Sequence, residues 1–227
     1  MPKSTNVPCS LCGEIMETEP ADERDALSME HVPPKQFHPK SMREDLAGEL
    51  WKVPSHVKCN QSYKLDEEYF YHYFYPLVGV QNPQMGQVLL DDLRRRAKKP
   101  QSKGLIRRVL GECTNVSPGG IILPPTLVRV NFDIVRIQRV VVKIAQCLFY
   151  KDHGRFLPRA RCDHIEMCEN PSDVQEIYAL LCGGTEKKAV MKEIFCYWHE
   201  ELDGTHLYSL LFWESFMFCL GFQEPTP

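Results

Sequence analysis

No apolar run in this 227-residue chain reaches the roughly 18 residues that a membrane-spanning helix needs. That excludes a helical channel or carrier, and no membrane partner is expected. The opening residues Met1-Pro2-Lys3-Ser4-Thr5-Asn6 lack the apolar stretch of a secretory signal, so a cytoplasmic location is the expectation. Strong charge of either sign is also missing. At a net −3 there is no global field to gather polyanions, and any contact with nucleic acid must come from local patches. Close cysteine pairs are scarce although the chain has ten cysteines, and only Cys9 and Cys12 stand together. Cys147, Cys182, Cys196 and Cys219 lie beside Leu, Phe or Tyr, where a free thiol behaves as a small hydrophobe. A disulfide framework is thereby disfavoured, and the close pair reads as a metal site. Internal repeats and low-complexity tracts are absent, which excludes a repeat architecture.

What is present is an ordinary globular composition, 43% hydrophobic and 25% charged. Residues 1–78 are rich in Pro, His, Cys and charge and poor in long apolar runs, and a small unit of this kind needs a metal staple. Within it, Leu27-Ser28-Met29 leads into Glu30-His31 as a short strand, and Cys59 to Tyr75 reads as a helix. Residues 79–125 form a basic connecting segment with Arg94, Arg95, Arg96, Lys98, Lys99, Lys103, Arg107 and Arg108, broken by Pro100 and Gly104. Residues 126–227 read as an α+β domain of unknown role. A strand at Thr126–Phe132 feeds a core helix at Ile134–Tyr150, and a shorter helix from Ser172 to Leu181 stops at Gly183-Gly184. Ile194–Trp198 and Leu207–Phe212 flank Asp203-Gly204 as a hairpin, and Phe216–Phe222 adds a third strand.

Two short motifs carry metal chemistry. Cys9-Ser10-Leu11-Cys12-Gly13 places two thiols at the spacing that binds one tetrahedral zinc, with a glycine for the knuckle turn. His56-Val57-Lys58-Cys59 repeats the gap with one His in place of a Cys, completing a Cys₃His set. Between them lies Glu30-His31-Val32-Pro33-Pro34-Lys35, a hard oxygen ligand beside an imidazole that can act as a base near neutral pH. Asn60 follows the last zinc ligand directly and is pinned beside it.

In this order and spacing, residues 1–78 resemble the HNH endonucleases, specifically their zinc-containing branch with the ββα-metal (treble-clef) fold. The resemblance implies a structural Zn²⁺ on Cys9, Cys12, His56 and Cys59. It also implies a catalytic Mg²⁺ or Mn²⁺ on Glu30 and Asn60, with His31 as general base. The activity implied is hydrolysis of nucleic-acid phosphodiesters, DNA more than RNA, with a homodimer suited to cutting both strands. One position departs from the pattern. The central Asn of the family, nine residues before Asn60, is Trp51 here, and in the family that Asn holds the catalytic-histidine loop. The alternative reading is a treble-clef module that binds nucleic acid or protein without cutting.

Phosphate contacts are expected from Lys35, Lys58 and Lys64 near the motif and from Arg94, Arg95, Arg96, Lys98 and Lys99 in the basic segment. The aromatic run Tyr69–Tyr75 is expected to pack against the C-terminal half rather than to stack on bases. Cys162, His164 and Cys168 lack a fourth ligand at zinc spacing, and His38, His72, His153, His199 and His206 show no spacing that singles them out.

Overall fold

The computed structural model describes residues 7–16, 20–43, 50–100, 102–115, 128–168, 171–184, 188–190 and 194–223. The chain is α+β, as the sequence leads one to expect, with a small sheet at its C-terminal end.

The N-terminal part is built from two short hairpins and a helix. Strands β1 (Val7–Pro8) and β2 (Ile15–Met16) flank the turn that carries Cys9 and Cys12. Gly13 in that turn has φ +81°, a conformation open to glycine, and an added Cβ would lie 2.5 Å from the Phe156 ring. Strands β3 (Leu27–Val32) and β4 (Trp51–His56) pair antiparallel, with Glu30 opposite Val53 and His31 opposite Lys52. The short helix α1 (Val57–Gln61) starts directly after His56, and Val57 N–H bonds to Ala26 O, tying the helix to the start of β3.

Helix α2 (Lys64–Gln81) continues six residues past the expected end at Tyr75, because Pro76 faces solvent, where its missing N–H is tolerated. It crosses α3 (Pro83–Ala97) at Gly79 and Gly86, where a Cβ on Gly86 would meet Gly79 Cα at 2.2 Å. The basic segment forms the end of α3 and helix α4 (Ser102–Gly111). The two-stranded pair β5 (Cys113–Asn115) and β6 (Val128–Val130) then leads to α5 (Ile134–His153); residues 126–127 of the expected strand lie outside the described residues. Helix α5 stops at Gly154, whose φ of 69° makes a left-handed cap.

The C-terminal sheet is antiparallel, in the order β7 (Cys162–Cys168), β11 (Phe216–Gln223), β10 (Thr205–Phe212), β9 (Phe195–Leu202), β8 (Lys188–Val190). The β9–β10 turn is Asp203-Gly204, with both φ values positive, as a two-residue hairpin requires. Alternate residues divide the sheet. Phe195, Tyr197, Tyr208, Leu210, Phe212 and Phe218 face the main core with α2 and α5. Cys196, Trp198, Leu211 and Met217 face the helix α6 (Pro171–Gly184) through Val174 and Ile177.

One cluster of buried side chains runs from Cys9 to Phe222. Its centre is the aromatic face of α2, where the Phe70 ring lies 5.3 Å from Phe212 and 5.8 Å from Phe218. Trp213, held at φ +51° between β10 and β11, is fully buried and donates its indole N–H to Phe37 O at 3.3 Å. Sheet and N-terminal part therefore share a core. Among the described residues no helix is long and apolar enough to cross a membrane.

Candidate functional site

The β1–β2 turn and the β4–α1 junction bring Cys9, Cys12, His56 and Cys59 together, with ligand atoms all within 4.8 Å of one another. His56 Nδ1 is 3.4 Å from Cys12 Sγ and 3.7 Å from Cys59 Sγ. A tetrahedral zinc with ordinary bond lengths would set sulfur–nitrogen edges at about 3.6 Å. Cys9 Sγ accepts N–H bonds from Leu11 and His56, both at 3.4 Å, as a thiolate in a metal knuckle does. Burial, then the neighbouring Cys9 and Cys12 thiols, push Cys59 up to about 12. A cation among the thiols would favour the ionised form of Cys59, and this Cys₃His cluster could hold a metal such as zinc.

One face of the β3–β4–α1 unit opens onto a cleft of about 430 Å³ lined by Ser28, Glu30, His31, Lys35, Asn60 and Lys64, with Gln36 and Glu67 at its wall. The three residues expected to do chemistry thus line one cavity. Asn60 Nδ2 donates to Ser28 Oγ at 3.4 Å, which fixes the amide against β3. His31 is half-buried, and burial followed by Lys52 and Lys35 lowers its pKa, so the imidazole is neutral at pH 7. Among the described residues its ring has no hydrogen-bond partner.

Glu30 is only 4% exposed. Burial raises its pKa to about 7, against the pull of Lys143 and with help from Glu67. The Lys143 ammonium lies 3.1 Å from Glu30 Oε1 and 2.5 Å from Glu67 Oε1, and Gln36 Nε2 donates to Glu67 Oε2 at 2.6 Å. Glu30 Oε2 is buried without a hydrogen-bond partner. Sequence reasoning missed Glu67 and Lys143. Glu67 reads as an ordinary first-turn acid of α2, and Lys143 is the one charged residue in the buried run from Val140 to Phe149.

No family model, curated protein or solved structure matches this chain. The site stands on its geometry.

The basic residues divide. Lys35 and Lys64 line the cleft. Lys58 does not; it pairs with Asp25 at 2.6 Å. Arg94, Lys98 and Lys99 are exposed, and Arg94 pairs with Asp91 at 3.0 Å. Arg95 is exposed as well and bonds Asp92 at 2.5 Å. Arg96 cannot serve as a phosphate contact: it is 6% exposed, bonded to Asp92 and to Gln36 O, and stacked 4.1 Å over Tyr71. Phosphate contact is the sequence expectation for all five residues of this run, but helix α3 turns its third consecutive arginine inward to neutralise buried Asp92.

Trp51, nine residues before Asn60, packs at right angles on Tyr197, with Lys151 Nζ 4.3 Å above its ring. It joins β4 to the C-terminal sheet.

Proposed function

We propose that the chain is a metal-dependent phosphodiester hydrolase whose N-terminal part is a zinc-stapled ββα-metal module acting on nucleic acid, DNA foremost. The observation that carries this reading is the convergence of Glu30, His31 and Asn60 on one cleft, rimmed by Lys35 and Lys64 and anchored beside the Cys₃His cluster. Zinc on Cys9, Cys12, His56 and Cys59 would lock the start of α1 to the β1–β2 turn and so hold Asn60 opposite β3.

Glu30 and Asn60 fit a divalent ion. One carboxylate oxygen is buried with nothing to bond, and an amide lies in the same cavity. Mg²⁺ or Mn²⁺ there would supply a counter-charge to the phosphate oxygens as negative charge builds in the transition state. His31, unprotonated at neutral pH, takes the proton of the attacking water. Lys35 and Lys64 hold the flanking phosphates in line with that water. Lys143 pairs with one oxygen of Glu30 and offsets part of the burial that favours its protonated form.

A second reading, a nucleic-acid-binding module that does not cut, is favoured by that same Lys143, which occupies Glu30 with a resident cation, and by Trp51 in place of Asn. Plasmid nicking with Mg²⁺ or Mn²⁺, comparing the natural protein with His31→Ala, separates the two. Cutting that requires both the ion and His31 supports the hydrolase. A protein that shifts DNA on a gel and never nicks it, with or without His31, leaves the binding module.

A further inference from the structure

Three histidines that sequence spacing does not connect meet at the other end of the sheet. His153 is the last residue of α5, His199 lies on β9 and His206 on β10. The β9–β10 register sets His199 opposite Tyr208 and His206 opposite Glu201, so the two imidazoles are diagonal neighbours on the face that meets α5. Their ligand nitrogens and that of His153 all lie within 4.8 Å of one another, with His199 Nε2 3.0 Å from His206 Nδ1. The cluster is independent of the cleft around Glu30, and no residue of one lines the other.

We propose that His153, His199 and His206 form a second metal site, a three-histidine set for a divalent transition-metal ion, Zn²⁺ first, with one coordination position open. Imidazole-only ligands suit zinc, copper and nickel and are poor partners for magnesium or calcium. Nitrogen–nitrogen edges around zinc are about 3.3 Å, so the His199–His206 pair is already near that spacing and His153 closes by a side-chain adjustment. His153 Nε2 is buried without a hydrogen-bond partner, an orphan donor atom beside the other two rings.

The rings are held in place by their neighbours. Phe149 stacks on His153 at 4.5 Å and meets His206 edge-on at 4.8 Å, while Tyr208 lies flat against His199 at 4.4 Å. His206 is fully buried, whereas His199 and His153 are part-exposed, which leaves the open position toward solvent, as three protein ligands plus water leave it at catalytic zinc. Such an ion would bolt the end of α5 to the β9–β10 hairpin and could polarise a small ligand or water at the surface.

The test is calorimetric titration of Zn²⁺ into full-length protein whose Cys₃His cluster already carries zinc, with metal counted by native mass spectrometry. One further equivalent is expected. It should weaken at least roughly tenfold, the loss that even an outer-sphere partner causes, in His153→Ala and in His199→Ala, and persist in Glu30→Gln. His153→Ala is the safer variant for the fold because the residue ends its helix, and a thermal melt without added metal checks this. Absence of a further equivalent means three histidines that only pack against one another, and overturns the site. A further equivalent indifferent to both histidine substitutions, or lost in Glu30→Gln alone, places the ion elsewhere and overturns it equally.

Discussion

Lys143 Nζ stands 3.1 Å from Glu30 Oε1, so a helix of the C-terminal half supplies the counter-charge to a carboxylate of the N-terminal hairpin. Both side chains are almost fully buried, at 1% and 5% exposure. Removing one partner of such a pair strands the other in a medium that cannot solvate it.

Lys143→Met should therefore lower stability by about 3–5 kcal/mol in urea unfolding, since Glu30 and Glu67 would face each other without a cation. Mg²⁺ or Mn²⁺ bound at Glu30 should stabilise both proteins, and the variant by more, because there the ion also replaces the lost ammonium. If the ion stabilises both equally, it does not bind at Glu30.

Substitution of His31 by Ala should reduce nicking by roughly 10²- to 10⁴-fold, the usual contribution of a general base. Zinc content and melting temperature should stay unchanged because His31 is half-exposed and makes no hydrogen bond through its ring among the described residues. A fall in rate accompanied by a lower melting point would point to a positional role instead.

Lys64→Ala and Arg96→Ala should behave differently although both remove a positive charge. The first weakens DNA binding and lowers the salt slope by about one counterion, because Lys64 rims the cleft. The second takes a buried cation away from Asp92, Gln36 O and Tyr71 and leaves Asp92 to Arg95 and the Lys40 N–H, so it should cost stability on the order of 1–3 kcal/mol. Salt-dependent binding isotherms beside urea melts distinguish the two outcomes.

His38 gives the protein an acid-sensitive point. It is fully buried, neither ring nitrogen has a hydrogen-bond partner, and burial, then Arg43 and His31, hold its pKa down at about 3. Unfolded, the same imidazole takes a proton near pH 6.5. Between those values the unfolded state binds the extra proton, so stability is complete above pH 6.5 and falls as the pH drops toward 3, by up to about 1.4 kcal/mol per pH unit. Urea unfolding at pH 7 and pH 5 should show a shallower pH slope for His38→Leu than for the natural protein. Equal slopes would mean that His38 is hydrated or paired in solution.

Zinc removal should be the most disruptive of these perturbations. Cys12→Ser, or chelation, should abolish one equivalent of metal and loosen α1 and the β1–β2 turn, because little apolar area holds that turn apart from Cys9, Leu11 and Met16. Hydrogen exchange across residues 7–16 and 56–61 would report it. Unchanged protection after metal loss would leave the cluster without a structural role.

The features legible in the sequence are those set by short-range spacing. The two-residue gaps of Cys9/Cys12 and His56/Cys59 read directly as one ligand set, and Asp203-Gly204 reads directly as a hairpin turn, because one local geometry satisfies each. The apolar period from Ile137 to Leu148 likewise marks the buried face of α5. What could not be read depends on how distant elements dock. Lys143 follows helical spacing like any surface lysine until α5 is laid against β3 and α2. Arg96 looks like its neighbours Arg94 and Arg95 until the rotation of α3 is known. The histidine trio needs both the β9–β10 register and the end of α5, neither of which a spacing rule contains.

Helix α2 leaves the end of the chain that carries the Cys₃His cluster and runs with every residue from Tyr69 to Tyr75 buried, its rings meshed with Phe212, Phe216 and Phe218 of the C-terminal sheet. A helix with no wet side over this length is a shared keel rather than a tether. The segment that carries the cleft is consequently not a cassette: excised at residue 78, it would present Phe70 and Phe74 to water and lose Lys143 from beside Glu30. Any change in the C-terminal half that shifts the sheet must be transmitted to the cleft through stacked rings, so natural variation at the two ends should be correlated rather than exchangeable.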